Sequence, residues 1–392
     1  MRRPALLICA LIPVVGAAQA APPSAPPLQL QVDAARHRVV ITGGPYRVPV
    51  SPEMPGMMMD MPATPVQEFT FPVDGWIQGF RVDLVDDRGR ALSHRLLHHL
   101  IMVNFSRRQF IYPALERLLG VAEETDTGDV RIPRSIGVPM RAGQELGVYA
   151  TWHNDSGRDV PVAYWRIVLY LANARLRPRP IDVLPAYMDV NIETNPEDNR
   201  FNVPPGHFEI GYEFSPPLSG HLLMATGHLH DFGTLVRLVD VASGKTLVAI
   251  KAKRDSVGHV LAMPRKLLAL RGEGLPLKAG RRYRVIGVFD NPTPDTSYGA
   301  MAHMVGLFAP DHYREWPAVD PTDPYYHRDL VDLLSNGESD SVVVSGHSDP
   351  IGSNVCHAPK TPCHTRGARR SPATRHRRGP DRAPGPLAAD GR

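Results

Sequence analysis

Two stretches decide how this chain folds: VPVAYWRIVLYL at residues 160–171 and HLLMATGHLH at residues 221–230. The first is a nearly continuous apolar run of strand length. The second ends in two histidines spaced as on a strand, and both are bounded by Gly, Pro, Asp or Asn. Working outward, similar runs occupy 38–42, 68–73, 76–84, 96–105 and 145–152 before the first stretch is reached. A second series occupies 187–193, 207–214, 235–241, 246–252, 283–289 and 300–308. Between the series lies RLRPRPIDVLP at 175–185, whose three prolines and three arginines read as a connector. The pattern predicts an all-β chain of two successive antiparallel β-sandwich domains, jelly-roll-like, over 36–175 and 187–310, with a linker at 176–186. A short helix is expected at 112–121, a flexible proline-rich linker at 21–35, a partly ordered extension at 311–345 and a disordered basic tail at 346–392.

Composition agrees with this class. The 392 residues include 40 prolines and 33 glycines, with 43% hydrophobic and 21% charged residues, which suits a turn-rich globular chain rather than a helical bundle. The net charge of +4 is unevenly placed: eight Arg, one Lys and three Asp lie in 346–392, and Arg2 and Arg3 open the chain, so the body carries −4. No nucleic-acid partner is expected from so mildly acidic a body. Arg2-Arg3, the apolar run at 5–15 and Ala18-Gln19-Ala20 read as a signal peptide over 1–20. An exported protein, periplasmic or secreted, is therefore expected. No other stretch reaches the length of a membrane span. Cys9 lies in the leader and Cys356 and Cys363 in the tail, so the body offers neither disulfides nor thiolate ligands.

Chemistry gathers in four clusters: His98-His99, His153, His228-x-His230, and Met301 in SYGAMAHMVG. Residues two apart on a strand share a face, so His228 and His230 present two imidazoles side by side, as a metal requires. His98 and His99 ordinarily point to opposite faces and reach one ion only where the strand twists or ends. The other body histidines, His94, His207, His221, His259, His312 and His327, lack paired spacing and read as structural or solvent-facing. Asn104 and Asn154 match the glycosylation pattern and are read as chance matches.

In order and context these clusters resemble the copper type II, ascorbate-dependent monooxygenases, the family of peptidylglycine α-hydroxylating monooxygenase and dopamine β-monooxygenase. The resemblance spans roughly 65–310 and includes IPRSIGVPMRAGQELGVYATWH, the approach to the single histidine. It implies two coppers per chain, one held by His98, His99 and His153 on the first sandwich. The other would be held by His228, His230 and Met301 on the second, with His303 and Met304 as alternatives to Met301. The second copper would be the catalytic one. An all-imidazole site suits copper in both oxidation states, whereas a thioether favours Cu(I). Where the amidating enzyme grips a peptide carboxylate, this chain has Thr226, His303 and Val305, so a peptide carboxylate is not the expected substrate.

The resulting expectation is an exported dicopper monooxygenase that hydroxylates a C–H bond of a small organic substrate with O2 and an external reductant such as ascorbate. The alternative is a non-catalytic periplasmic copper-binding protein for copper tolerance or delivery. The segment MPGMMMDMP at 54–62 supplies Met54, Met57, Met58, Met59 and Met61, an auxiliary set of thioethers suited to Cu(I).

Overall fold

A computed structural model describes residues 26–51, 63–122, 130–173, 175, 177–192, 200–269 and 273–335. The segment read as a signal peptide, the methionine-rich 54–61 segment and the 346–392 tail lie outside the described residues. The first half contributes β1 (Gln29–Asp33), β2 (Arg38–Val48), β3 (Gln67–Thr70), β4 (Gly75–Val85), β5 (Leu97–Arg108), β6 (Leu115–Ala122), β7 (Val130–Arg131), β8 (Ile136–Met140), β9 (Glu145–Trp152) and β10 (Val160–Asn173). After β11 (Ile181–Asp182), the second half contributes β12 (Leu184–Asp189), β13 (Phe201–Val203), β14 (Gly206–Phe214), β15 (Gly220–Leu229), β16 (Gly233–Asp240) and β17 (Thr246–Lys251). It continues with β18 (Lys253–Arg254), β19 (Val260–Ala262), β20 (Lys266–Leu267), β21 (Leu275–Leu277), β22 (Tyr283–Asn291), β23 (Ser297–Ala300) and β24 (Ala302–Pro310), and α1 covers Pro324–Ser335. The chain is all-β, as expected.

Two sheets build the first sandwich, ordered β1-β2-β10-β4-β8-β11 and β3-β9-β5-β6. Alternation along β10 sends Ala163, Trp165, Ile167 and Leu169 inward, each with no exposed surface, to meet Leu100 and Met102 of β5 and Val148 and Ala150 of β9. The second sandwich pairs the order β12-β24-β15-β20 with the order β14-β22-β16-β17. Its core takes Leu222, Ala225 and Leu229 from β15, Met304 and Phe308 from β24, Val236 and Leu238 from β16, and Val285 and Phe289 from β22. Gly227 lets β15 lie close to β16, since a Cβ there would come within 2.6 Å of Val236 Cγ1.

The two sandwiches lie in one compact unit. Phe110, Ile111, Tyr112 and Ala114, from the β5–β6 connection, are built into the second core rather than the first. The segment after β24 returns to the first sandwich. There Trp316 Nε1 donates to the Arg108 carbonyl at 3.2 Å, and Asp329 of α1 receives both Nη atoms of Arg117 at 2.7 Å. Part of the extension predicted at 311–345 is thus an ordered strap.

Three expectations are corrected. Residues 115–122 form strand β6, not the helix predicted at 112–121. Leu115, Leu118, Leu119 and Ala122 fall at i, i+3, i+4 and i+7, which imitates a helix face, but the cause is a bulge. The β5–β6 register jumps from Met102↔Leu119 to Val103↔Arg117, which leaves Leu118 as the extra residue and breaks the alternation. Gln29–Asp33, predicted as flexible, is the edge strand β1 paired to β2. Within the predicted linker, β11 pairs in parallel with β8, and β12 already belongs to the second sandwich.

Candidate metal centre

His98 and His99 open β5 just after the short turn His94–Leu96. The β5–β9 register shifts between Leu97 and His99, and at this irregularity the two adjacent imidazoles come together, with ring centroids 4.1 Å apart. His153 follows the end of β9, and its backbone N–H donates to the Leu96 carbonyl at 3.0 Å. The next residue holds that corner: buried Asn154 donates through Nδ2 to the carbonyls of Val48 and Arg158, both at 3.0 Å. Asn104 is likewise buried, with its amide on Glu116 at 3.2 Å, so both glycosylation matches are engaged inside the fold.

His228 lies near the end of β15 and His230 just beyond it. His230 N–H donates to the Met301 carbonyl at 3.2 Å, which sets Met301 opposite His230 in the ladder. His230 Nδ1 lies 3.0 Å from the Gly299 carbonyl. A carbonyl only accepts, so Nδ1 carries the proton and Nε2 keeps its lone pair, the tautomer of an Nε2 metal ligand.

The two predicted ligand sets meet. His99 Nε2 and His228 Nε2 are 3.4 Å apart, and the ligand nitrogens of His98, His99 and His230 all lie within 4.8 Å of one another. The His98 and His230 rings are 5.4 Å apart, while His153 stands at the margin, 6.3 Å from His98. Burial, followed by the neighbouring His98, His228, His230 and His303, holds His99 well below the usual imidazole pKa, so it is neutral near pH 7.

This donor set fits a metal ion. Metal–imidazole bonds of about 2.1 Å put two ligand nitrogens about 3.4 Å apart on a tetrahedral edge and at most about 4.2 Å apart. The His99–His228 pair has the edge distance already, while the nitrogens of His98, His99 and His230, up to 4.8 Å apart, would have to draw together to share one ion. As a hydrogen bond the same contact is long, since N–H donors sit about 2.7–3.2 Å from their acceptors.

Met304, an alternative thioether, has no exposed surface and belongs to the second core. Met301 is partly buried beside His230, and His303 faces His228 with ring centroids 5.0 Å apart. Sequence reasoning missed Asp189 and Tyr187, which lie against His303. The only signal was the two-residue spacing of Met301 and His303, which echoes His228-x-His230. Three of the unpaired histidines have carboxylate neighbours: His207 with Asp290 at 2.7 Å, His259 with Asp255 at 3.0 Å and His221 with Glu273 at 3.6 Å. A cavity of about 570 Å³ lies elsewhere, lined by Ser106, Arg107, Arg141, Tyr313 and Trp316 among others.

No protein-family model matches the chain, and no curated protein does. Among solved structures it is similar to the major capsid protein P2 from bacteriophage PM2, at 11% identity and a TM-score of 0.31, covering 68% of this chain and 98% of that one. It is also similar to PNGF-II, at 9% identity and a TM-score of 0.29, covering 68% of this chain and 65% of that one. Neither likeness extends to function.

Proposed function

We propose that this chain is an exported dicopper monooxygenase that hydroxylates a C–H bond of a small organic substrate, with O2 and an external reductant such as ascorbate. The observation that carries the proposal is the meeting of His98, His99, His228 and His230 from distant stretches of two sandwiches: the ligand nitrogens of His98, His99 and His230 lie within 4.8 Å of one another, and His228 Nε2 is 3.4 Å from His99 Nε2. His98, His99 and His153 would hold one copper, and His228 and His230, with Met301 beside them, the other. Bound copper would supply one-electron transfer and reactivity toward O2. The chain's own residues prepare the locus. Gly299 fixes the His230 tautomer, and burial, followed by the neighbouring imidazoles, keeps His99 neutral.

The 3.4 Å approach of His99 to His228 favours a second reading, non-catalytic copper binding for tolerance or delivery, because it leaves no room for a substrate between those two rings. Copper analysis of the purified chain, followed by O2 uptake with ascorbate, separates the two. The monooxygenase reading expects two coppers per chain and an ascorbate-dependent uptake that is lost in His228→Ala. Copper without any uptake, across a panel of small organic substrates, leaves the binding protein.

A further inference from the structure

We propose that His303 is a metal ligand, forming a three-imidazole set with His228 and His230, and that Asp189 is the positioning residue that holds it. The inference rests on reading the histidine cluster as a metal centre and changes the ligand set of its second-sandwich half.

The strand register carries the argument. In the sheet β12-β24-β15, Asp189 pairs with His303 and His303 pairs with His228, so the three lie in one row across three strands. Directly opposed residues share a face of the sheet. The adjoining row, Met188, Met304 and Gly227, faces the other way, and its two methionines are fully buried in the second core. His303 is therefore turned from that core toward the face bearing His228.

Ring spacings place the three imidazoles as neighbours. With bonds of about 2.1 Å, a metal stands about 3.2 Å from each imidazole centroid, so two imidazoles side by side on one ion have centroids about 4.5–5.2 Å apart. His303 and His228 are 5.0 Å apart with an interplanar angle of 15°, and His228 and His230 are 4.9 Å apart. The His303 and His228 rings are stacked, so sharing one ion requires a ring rotation that turns their nitrogens together; the close-set nitrogens in this structure are those of His98, His99 and His230.

Asp189 completes the arrangement. Its Oδ2 is 3.0 Å from His303 Nδ1 and accepts from Tyr187 O–H at 3.2 Å, while Oδ1 accepts the Asn191 N–H at 2.8 Å. Neither Asp189 nor His303 is more than 7% exposed in its side chain. An ionised carboxylate only accepts, so Nδ1 carries a proton and Nε2 of neutral His303 offers a lone pair. Tyr187 Oη lies along the ring edge, 3.1 Å from Nδ1 and 3.3 Å from Nε2. A carboxylate that fixes tautomer and orientation from behind is the usual support of a ligating histidine. Imidazole donors suit late first-row ions, copper among them, and a third imidazole makes the site less selective for Cu(I) than a His2Met set.

The test uses the full chain and copper itself. Cu(I) titration against a competing chelator, with X-ray absorption on the loaded protein, is applied to wild type, His303→Asn, Asp189→Asn and His228→Ala. Asn keeps an amide nitrogen near the Nδ1 position to face Asp189, so its carboxylate is not stranded. We expect His303→Asn to weaken one of the two coppers by tenfold or more and to remove one imidazole scatterer. Asp189→Asn should weaken the same copper by about tenfold to hundredfold with the ligand count unchanged, the signature of positioning. Should His303→Asn not fold, the double variant His98→Ala/His99→Ala isolates the remaining copper, which should show three imidazoles. Two imidazoles there, or wild-type affinity in His303→Asn while His228→Ala loses copper, overturns the role of His303 alone. A wild type that takes up no copper, or a His228→Ala that binds as wild type does, overturns the metal-centre reading and this inference with it.

Discussion

Replacing Arg117 by Met should destabilise the protein by about 3 kcal/mol, and the double replacement Arg117→Met/Asp329→Leu should recover most of that loss. Arg117 on β6 holds Asp329 of α1 with two hydrogen bonds of 2.7 Å, and the same carboxylate accepts Leu115 N–H at 2.8 Å. Side-chain exposures are 15% and 12%, so little water is available to either partner. Removing one member of a buried pair costs about 3–5 kcal/mol because the other charge stays behind, and residual solvent contact at this pair argues for the lower end. Replacing both with apolar groups is close to neutral, so the coupling in a double-mutant cycle should be about 2–3 kcal/mol. In urea, with a slope of about 3 kcal/mol/M, the single variant should unfold about 1 M earlier. The site should register the change, since β6 pairs with β5 and His99 lies opposite Ala122. Copper affinity should fall in the single variant and return in the double. A single-variant loss below about 1 kcal/mol would refute the reasoning, as would a double variant no better than the sum of its parts.

Other outcomes follow from the site. A His228–His230–Met301 set predicts a Cu–S shell in the X-ray absorption of the reduced protein that Met301→Ala removes, whereas the three-imidazole set predicts no such shell from Met301; a shell that persists in Met301→Ala would point to another thioether, such as the 54–61 set. His153→Ala should retain copper and O2 reactivity at the second-sandwich site yet lose coupled turnover, whereas His228→Ala should lose O2 chemistry altogether; equal partial losses would favour the binding-protein reading. Replacing Met54, Met57, Met58, Met59 and Met61 together should slow loading at limiting Cu(I) and leave the fully loaded protein's turnover intact, and an unchanged loading rate would remove the acquisition role.

Strand content was legible because its signal is local. Runs such as 160–171 and 145–152 carry their periodicity and their bounding turns within a few residues, and the structure has strands there. Where a strand depends on its neighbour, local reading failed. Only the ladder with β5 shows that Leu118 is a bulge rather than part of a helical stripe, and Gln29–Asp33 is a strand because β2 offers it an edge.

The same division runs through the candidate site. His228-x-His230 is visible from spacing alone, because a period of two puts both imidazoles on one face whatever surrounds them. That His98 and His99 converge required the register shift against β9, and the 3.4 Å contact between His99 and His228 required two sandwiches to meet. Asp189, His303 and His228 sit far apart in the chain, yet hydrogen-bonded registry of three strands sets them side by side. The sequence by itself determined the all-β class, the sulfur-free body chemistry apart from methionine, and most of the imidazoles. The tertiary structure alone decided which imidazoles of different strands share a face and which carboxylate stands behind them, because cross-strand neighbours are selected by pairing and packing between distant segments, for which no short stretch of sequence carries a signal.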